Sequence, residues 1–165
     1  MRKVLIVFAM LVVTVLVASV GLASAQTSVF DANVEDQIRR PVGCPDGAYL
    51  CGDADIAGFG PAEFRWYLVS FDPISQSCGD YTAIVTLTVG NGSTLTLGET
   101  GTDCGPGYSF SSYPPHSYGQ PQTADGTWVV QDGTGVFAGL TGSGTSTLHV
   151  TGARLTALYT GTLGT

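Results

Sequence analysis

Residues Ser75–Gly105 read SQSCGDYTAIVTLTVGNGSTLTLGETGTDCG. Apolar residues alternate on both sides of Gly90-Asn91-Gly92. Tyr81, Ala83, Val85, Leu87 and Val89 share one face of the first arm, and Leu95 and Leu97 share one face of the second. Such alternation marks half-buried strands, because successive strand side chains point to opposite faces. The turn must then keep odd positions opposite odd ones. A three-residue loop does this by setting Leu87 against Leu95 and Val85 against Leu97. Loops of this length favour Gly or Asn where φ is positive. The same register brings Cys78 opposite Cys104, on the face away from the leucines. Cross-strand partners have Cβ atoms about 4.5–5.5 Å apart, within the adjustment a disulfide needs. A Cys78–Cys104 bridge is therefore expected at the open end of the hairpin. Cys44–Cys51 follows as the second bridge, since the chain has four cysteines. Loop entropy assigns roughly 3.5 kcal/mol to the long loop and roughly 2.5 kcal/mol to the short one.

Two disulfides call for an oxidising compartment, and the N-terminus predicts one. Arg2 and Lys3 precede an apolar run from Val4 to Val20, and Ala23-Ser24-Ala25 supplies small residues for cleavage. This is the three-part pattern of a secretory signal peptide over residues 1–25, cleaved before Gln26. Secretion to the extracellular space is the expected localisation, with no membrane attachment after cleavage. The expected mature chain has 140 residues, enough for one domain with a real core. Its cations are Arg39, Arg40, Arg65 and Arg154 against thirteen acids, a formal charge of −9. Such a surface lacks the cations that phosphate-bearing partners require, so nucleic acid and anionic lipid are excluded as partners. Zinc is disfavoured as well. The Cys44-x6-Cys51 spacing is wider than ligand pairs use, and neither histidine completes a set. Asp46, Asp53 and Asp55 could be imagined around calcium, but turn and solvent roles suit them better. No metal or cofactor is expected.

Residues 26–43 show no periodicity and are read as a flexible N-terminal segment, with the folded domain spanning 44–165. From Ala48 onward the pattern is all-β. Strands are expected near 48–58, 62–71, 80–89, 93–102, 122–131, 142–150 and 153–163. An eighth would lie near Tyr108–Tyr113 or in the N-terminal segment. Strands joined by short turns pair antiparallel, and a meander of seven or eight must close or stack to protect its edges. At the C-terminus, a two-residue turn at Thr151-Gly152 would set Leu148 opposite Leu155 and His149 opposite Arg154, leaving His149 as a surface cross-strand partner.

The closing stretch Trp128–Leu163 contains Gly133-Thr134-Gly135-Val136-Phe137-Ala138-Gly139-Leu140-Thr141-Gly142 and ends in an aromatic followed by Gly-Thr-Leu. This resembles the closing part of the allene oxide cyclase barrel-like family, which includes allene oxide cyclases and dirigent proteins. The opening from Cys44 to Gly52 is similar to that of secreted bacterial proteins with the same pattern. The resemblance implies an eight-stranded antiparallel up-and-down β-barrel. Physically, Gly133 and Gly135 supply turn conformations, and Phe137 is the bulky residue that plugs one end of the barrel. The family's catalytic positions do not transfer to particular residues here, and the motif itself holds no catalytic group.

Candidate functional residues come from two places. Glu63 lies on an early strand beside Arg65 and Tyr67, and is a weak catalytic candidate if it faces inward. Glu99 is the other acid that could occupy the interior. The segment Gly105–Gln122 is long and mixes Tyr, His and Phe with Ser, Gly and Pro, as recognition loops do. Tyr108, Tyr113, His116 and Tyr118 of this segment, with Trp128 beyond it, are the ligand-binding candidates. The reading that follows is a non-enzymatic barrel binding a small apolar molecule or a glycan. The alternatives are a cyclase- or dirigent-like enzyme and a self-associating surface protein working as a homo-oligomer. An enzyme needs an enclosed titratable group, whereas a barrel packed solid leaves none.

Overall fold

A computed structural model describes residues 28–37, 44–105, 121–151 and 154–165. The expected signal peptide and the residues Tyr108, Tyr113, His116 and Tyr118 fall outside these ranges. The described chain is a closed antiparallel barrel with strands in sequence order. The strands are β1 (Ser28–Gln37), β2 (Leu50–Ile56), β3 (Gly60–Pro73), β4 (Cys78–Val89), β5 (Thr94–Cys104), β6 (Gln122–Gly133), β7 (Thr141–Thr151) and β8 (Arg154–Gly164).

The β4–β5 hairpin has the register read from its alternation. Val85 pairs with Leu97, Leu87 with Leu95 and Cys78 with Cys104. Val89 N–H donates to Ser93 O (3.0 Å) and Gly92 N–H to Val89 O (2.8 Å), closing a three-residue loop with Gly92 at φ 80°. Disulfides join Cys78 to Cys104 and Cys44 to Cys51. Phe137 is buried and packs on Phe59 at 4.7 Å, closing the barrel end that holds the β2–β3 and β6–β7 connections.

The N-terminal expectation needs correction. Ser28–Gln37 is not a loose segment outside the domain. It is β1, paired with β8 from Ser28↔Leu163 to Gln37↔Arg154 and with β2 at Ala32–Val34. Phe30, Ala32 and Val34 point into the core. Small alanine and interleaved acids dilute this alternation until it reads as polar. Without β1, the edges of β2 and β8 would lie open.

The C-terminal hairpin also differs from expectation. Thr151 pairs with Arg154, so Val150 meets Leu155, Leu148 meets Ala157 and His149 meets Thr156. The register is displaced by two residues. A displacement of two keeps every side chain on its expected face, and Leu148 lines the core with Leu155, Ala157 and Tyr159. His149 Nδ1 lies 3.1 Å from the Thr123 hydroxyl, on the outer wall.

The inner face carries the rings and aliphatics, and the outer face carries the threonines. One row runs Thr82, Thr100, Thr127, Thr145, Thr160 across five adjacent strands. Threonine suits that wall because it is β-branched yet wettable. A chain beginning at Cys44 is expected to lose cooperative thermal unfolding and to aggregate through its open edges. Circular dichroism with light scattering checks this, and a stable monomer of that length would show closure without β1.

Candidate functional site

Leu95, Leu97 and Glu99 are successive inward residues of β5, so the apolar face of this strand places a carboxyl group inside the barrel. Glu99 is fully buried. Four donors from four other strands meet it. Trp66 Nε1–H (3.0 Å) and the Tyr159 hydroxyl (2.9 Å) donate to Oε2. The Tyr81 hydroxyl (2.8 Å) and the Ser146 hydroxyl donate to Oε1. An ionised carboxyl offers about four lone-pair sites, and here each oxygen receives two donors. Unmet buried polar groups cost about 1–3 kcal/mol each, so this set stands or falls together. Burial pushes both the Tyr81 and Tyr159 phenols well above their ordinary range, and the charge of Glu99 pushes them further. They therefore remain donors at neutral pH. Among the described residues, Arg65 and Arg154 are the cations, and both sit on strand positions that face outward.

Rings fill the rest of this level. Trp66 packs on Tyr81 at 5.7 Å and on Tyr49 at 5.9 Å, and Trp128 meets Phe30 edge-on at 5.0 Å. Two glycine pairs make space for them. A Cβ on Gly144 or Gly161 would lie 2.6 or 2.5 Å from Trp128 Cζ2, and one on Gly101 or Gly126 would lie 2.8 or 2.7 Å from the Tyr81 oxygen.

The end opposite Phe137 carries the Cys44–Cys51 loop, the β3–β4 connection and the points where the chain leaves at Gly105 and returns at Pro121. Asp46, with φ 56°, is held there by Arg65 at 2.6 Å. Asp103 follows Glu99 along the inner face of β5, where its charge adds to the upward push on Tyr81. Gln122, the first residue of β6, is also buried.

The sequence candidates separate clearly. Glu63 is exposed on the outer wall and bonds Arg65 at 2.8 Å, so it is not an interior acid. Its strand turns Phe64 and Trp66 inward instead. Trp128 is not part of a binding loop. It is buried in the core, with its indole N–H donated to Thr145 O at 3.1 Å. Asp46, Asp53 and Asp55 form no metal site, and among the described residues no group of three or more His, Cys, Asp and Glu could hold a metal. Glu99 does occupy the interior. Its partners Tyr81, Trp66, Ser146 and Tyr159 were legible only as strand residues. The signal that marks the site is one acid in an apolar inward series, faced by one serine in another. Comparisons with protein-family models, curated proteins and solved structures give no match.

Glu99→Leu is expected to strand all four donors and cost about 3–5 kcal/mol, and Glu99→Gln about 1–3 kcal/mol because one oxygen still accepts. Urea unfolding of the two variants measures the difference, and equal stability of Glu99→Leu and wild type would refute the network. High pH gives a second check. The raised phenol pKa values stabilise the fold fully below about pH 10, the unfolded tyrosine value, and that contribution drains as pH rises beyond it. The melting temperature should fall above that pH, and less so in Tyr81→Phe. Phenolate absorbance from the two buried rings should appear only with unfolding.

Proposed function

We propose that the chain is exported and acts as a non-enzymatic binding barrel, holding a small glycan or apolar molecule at the end where the chain leaves at Gly105 and returns at Pro121. One observation carries this reading: both oxygens of Glu99 are already taken by four donors. A carboxylate so occupied has no lone pair left to abstract a substrate proton. The surrounding rings fill the lumen at that level, and small barrels filled by side chains bind, if at all, at their mouths. Engagement of all four cysteines in disulfides supports an oxidising destination. The barrel architecture agrees with the resemblance of residues 128–163 to the allene oxide cyclase barrel-like family. In this reading Tyr108, Tyr113, His116 and Tyr118, which lie outside the described residues, remain the ligand-binding candidates.

The cyclase- or dirigent-like reading is favoured by one feature, the enclosure of Glu99. It requires a substrate to displace one of the four donors.

Native mass spectrometry of protein taken from culture medium tests the proposal. A retained small molecule, or a saturable change in the fluorescence of Trp66 and Trp128 on adding a saccharide or a neutral apolar probe, is expected. A Tyr113→Ala, Tyr118→Ala double variant should weaken retention at least about tenfold. Protein that holds nothing and responds to neither probe class would refute the reading.

A further inference from the structure

Glu99 is enclosed by side chains that can themselves be oxidised. Trp66, Tyr81 and Tyr159 each direct an N–H or O–H at one of its oxygens, at 3.0, 2.8 and 2.9 Å. A phenol becomes a strong acid when it loses an electron. It therefore gives one up readily only where a base can take its proton in the same event. Here the base already stands at the far end of the hydrogen bond. The occupancy that leaves Glu99 no lone pair for a substrate's proton thus suits it to receive one from its own donors.

Burial favours that step. Ionising Tyr81 or Tyr159 alone would set a second charge beside Glu99, and both phenols are held well above their ordinary range. Removing an electron together with the proton does the opposite. The Tyr81 O–H bond breaks, an O–H bond forms on Glu99 Oε1, and the electron leaves. The pair passes from one negative charge to none, which a low-dielectric interior favours. The geometry survives as well. The new Glu99 O–H donates back to the Tyr81 oxygen, Ser146 still meets Oε1, and Trp66 and Tyr159 still meet Oε2. No buried polar group of the set loses its partner.

Ring contacts supply a route for the electron. Tyr81 lies 5.7 Å from Trp66, and Trp66 lies 5.9 Å from Tyr49. The Tyr49 backbone N–H donates to Trp66 O at 2.8 Å, which fixes the outermost ring. Tyr49 is only partly buried, so the series runs from the interior to the wall. The Tyr159 ring meets Phe64 instead, at 6.1 Å.

We propose that Glu99, Tyr81 and Trp66 form a one-electron oxidation site. An external one-electron oxidant, of the class that includes oxidised metal complexes and peroxyl radicals, draws an electron out through Trp66 and is itself reduced by one electron. A neutral tyrosyl radical remains on Tyr81, with its proton held by Glu99.

The test uses the full chain and photogenerated tris(bipyridine)ruthenium(III) as the oxidant, read by transient absorption and electron paramagnetic resonance. A neutral tyrosyl radical that outlives those of exposed tyrosines at least about tenfold is expected. Tyr81→Phe should remove this long-lived signal. Glu99→Gln, with its fold checked by circular dichroism, removes the base and should shorten the lifetime at least about tenfold. Trp66→Phe keeps the base and the phenol. It should slow radical formation at least about tenfold and leave the lifetime unchanged, a split that a merely structural tryptophan would not give. A wild type without the long-lived radical overturns the proposal. So does a signal that persists in Tyr81→Phe, a lifetime unchanged in folded Glu99→Gln, or formation as fast in Trp66→Phe as in wild type.

Discussion

A carboxylate enclosed by a β-barrel must find a donor for each lone pair, and Glu99 finds them on β3, β4, β7 and β8 while itself sitting on β5. Five of eight strands are therefore fixed to one point. Apolar side chains tolerate sliding, because dispersion is non-directional. Hydrogen bonds to a single carboxyl group do not, since a slip of one residue would turn the donor outward. The network thus specifies register around most of the circumference, and the remaining strands are placed by closure. β1 pairs with β8 on one side and β2 on the other, and β2 continues into β3.

The two ends of the barrel are built differently. At one end Phe137 and Phe59 pack together beneath short connections. At the other, the disulfide Cys78–Cys104 holds two strands just where the chain departs, and Arg65 pins Asp46 of the Cys44–Cys51 loop to the outer wall. Apolar closure at one end and covalent bracing at the other leave the polar inward groups gathered toward the braced end. The asymmetry gives the described barrel an apolar base and a braced end that carries its polar inward groups.

Much of this was written plainly in the chain. The β4–β5 register follows from parity alone, because seven apolar residues alternate around a turn of known length. The seven strands after Ala48 were legible for the same reason. β1 was legible only as one of two places for an eighth strand, since its inward residues include Ala32 and its outward ones Asp31 and Asn33, so the contrast that reveals alternation is weak there. The register of the C-terminal hairpin differs from the expected one by two residues, a change that parity cannot detect because both registers keep the same faces. The site was harder still. An inward Glu99 is visible from Leu95 and Leu97, but its donors come from positions 33, 18, 47 and 60 residues away. Only closure of the sheet brings them together. Glu63 shows the converse: a single strand has two faces, and nothing local told which one held Phe64 and Trp66.

Trp128 sits directly across the β5–β6 ladder from Glu99, and its outer edge rests where Gly144 and Gly161 have no side chains. One indole therefore occupies volume that two glycine positions have ceded to it. Exchanging that residue for alanine would remove one of the two indoles of the lumen, and the glycines beside it have nothing to extend into the gap. The result would be a hollow beside a ready-made array of phenols and a carboxylate. A sealed scaffold of this design is thus a single substitution from becoming a container, which makes position 128 the natural starting point for anyone wishing to install new chemistry inside it.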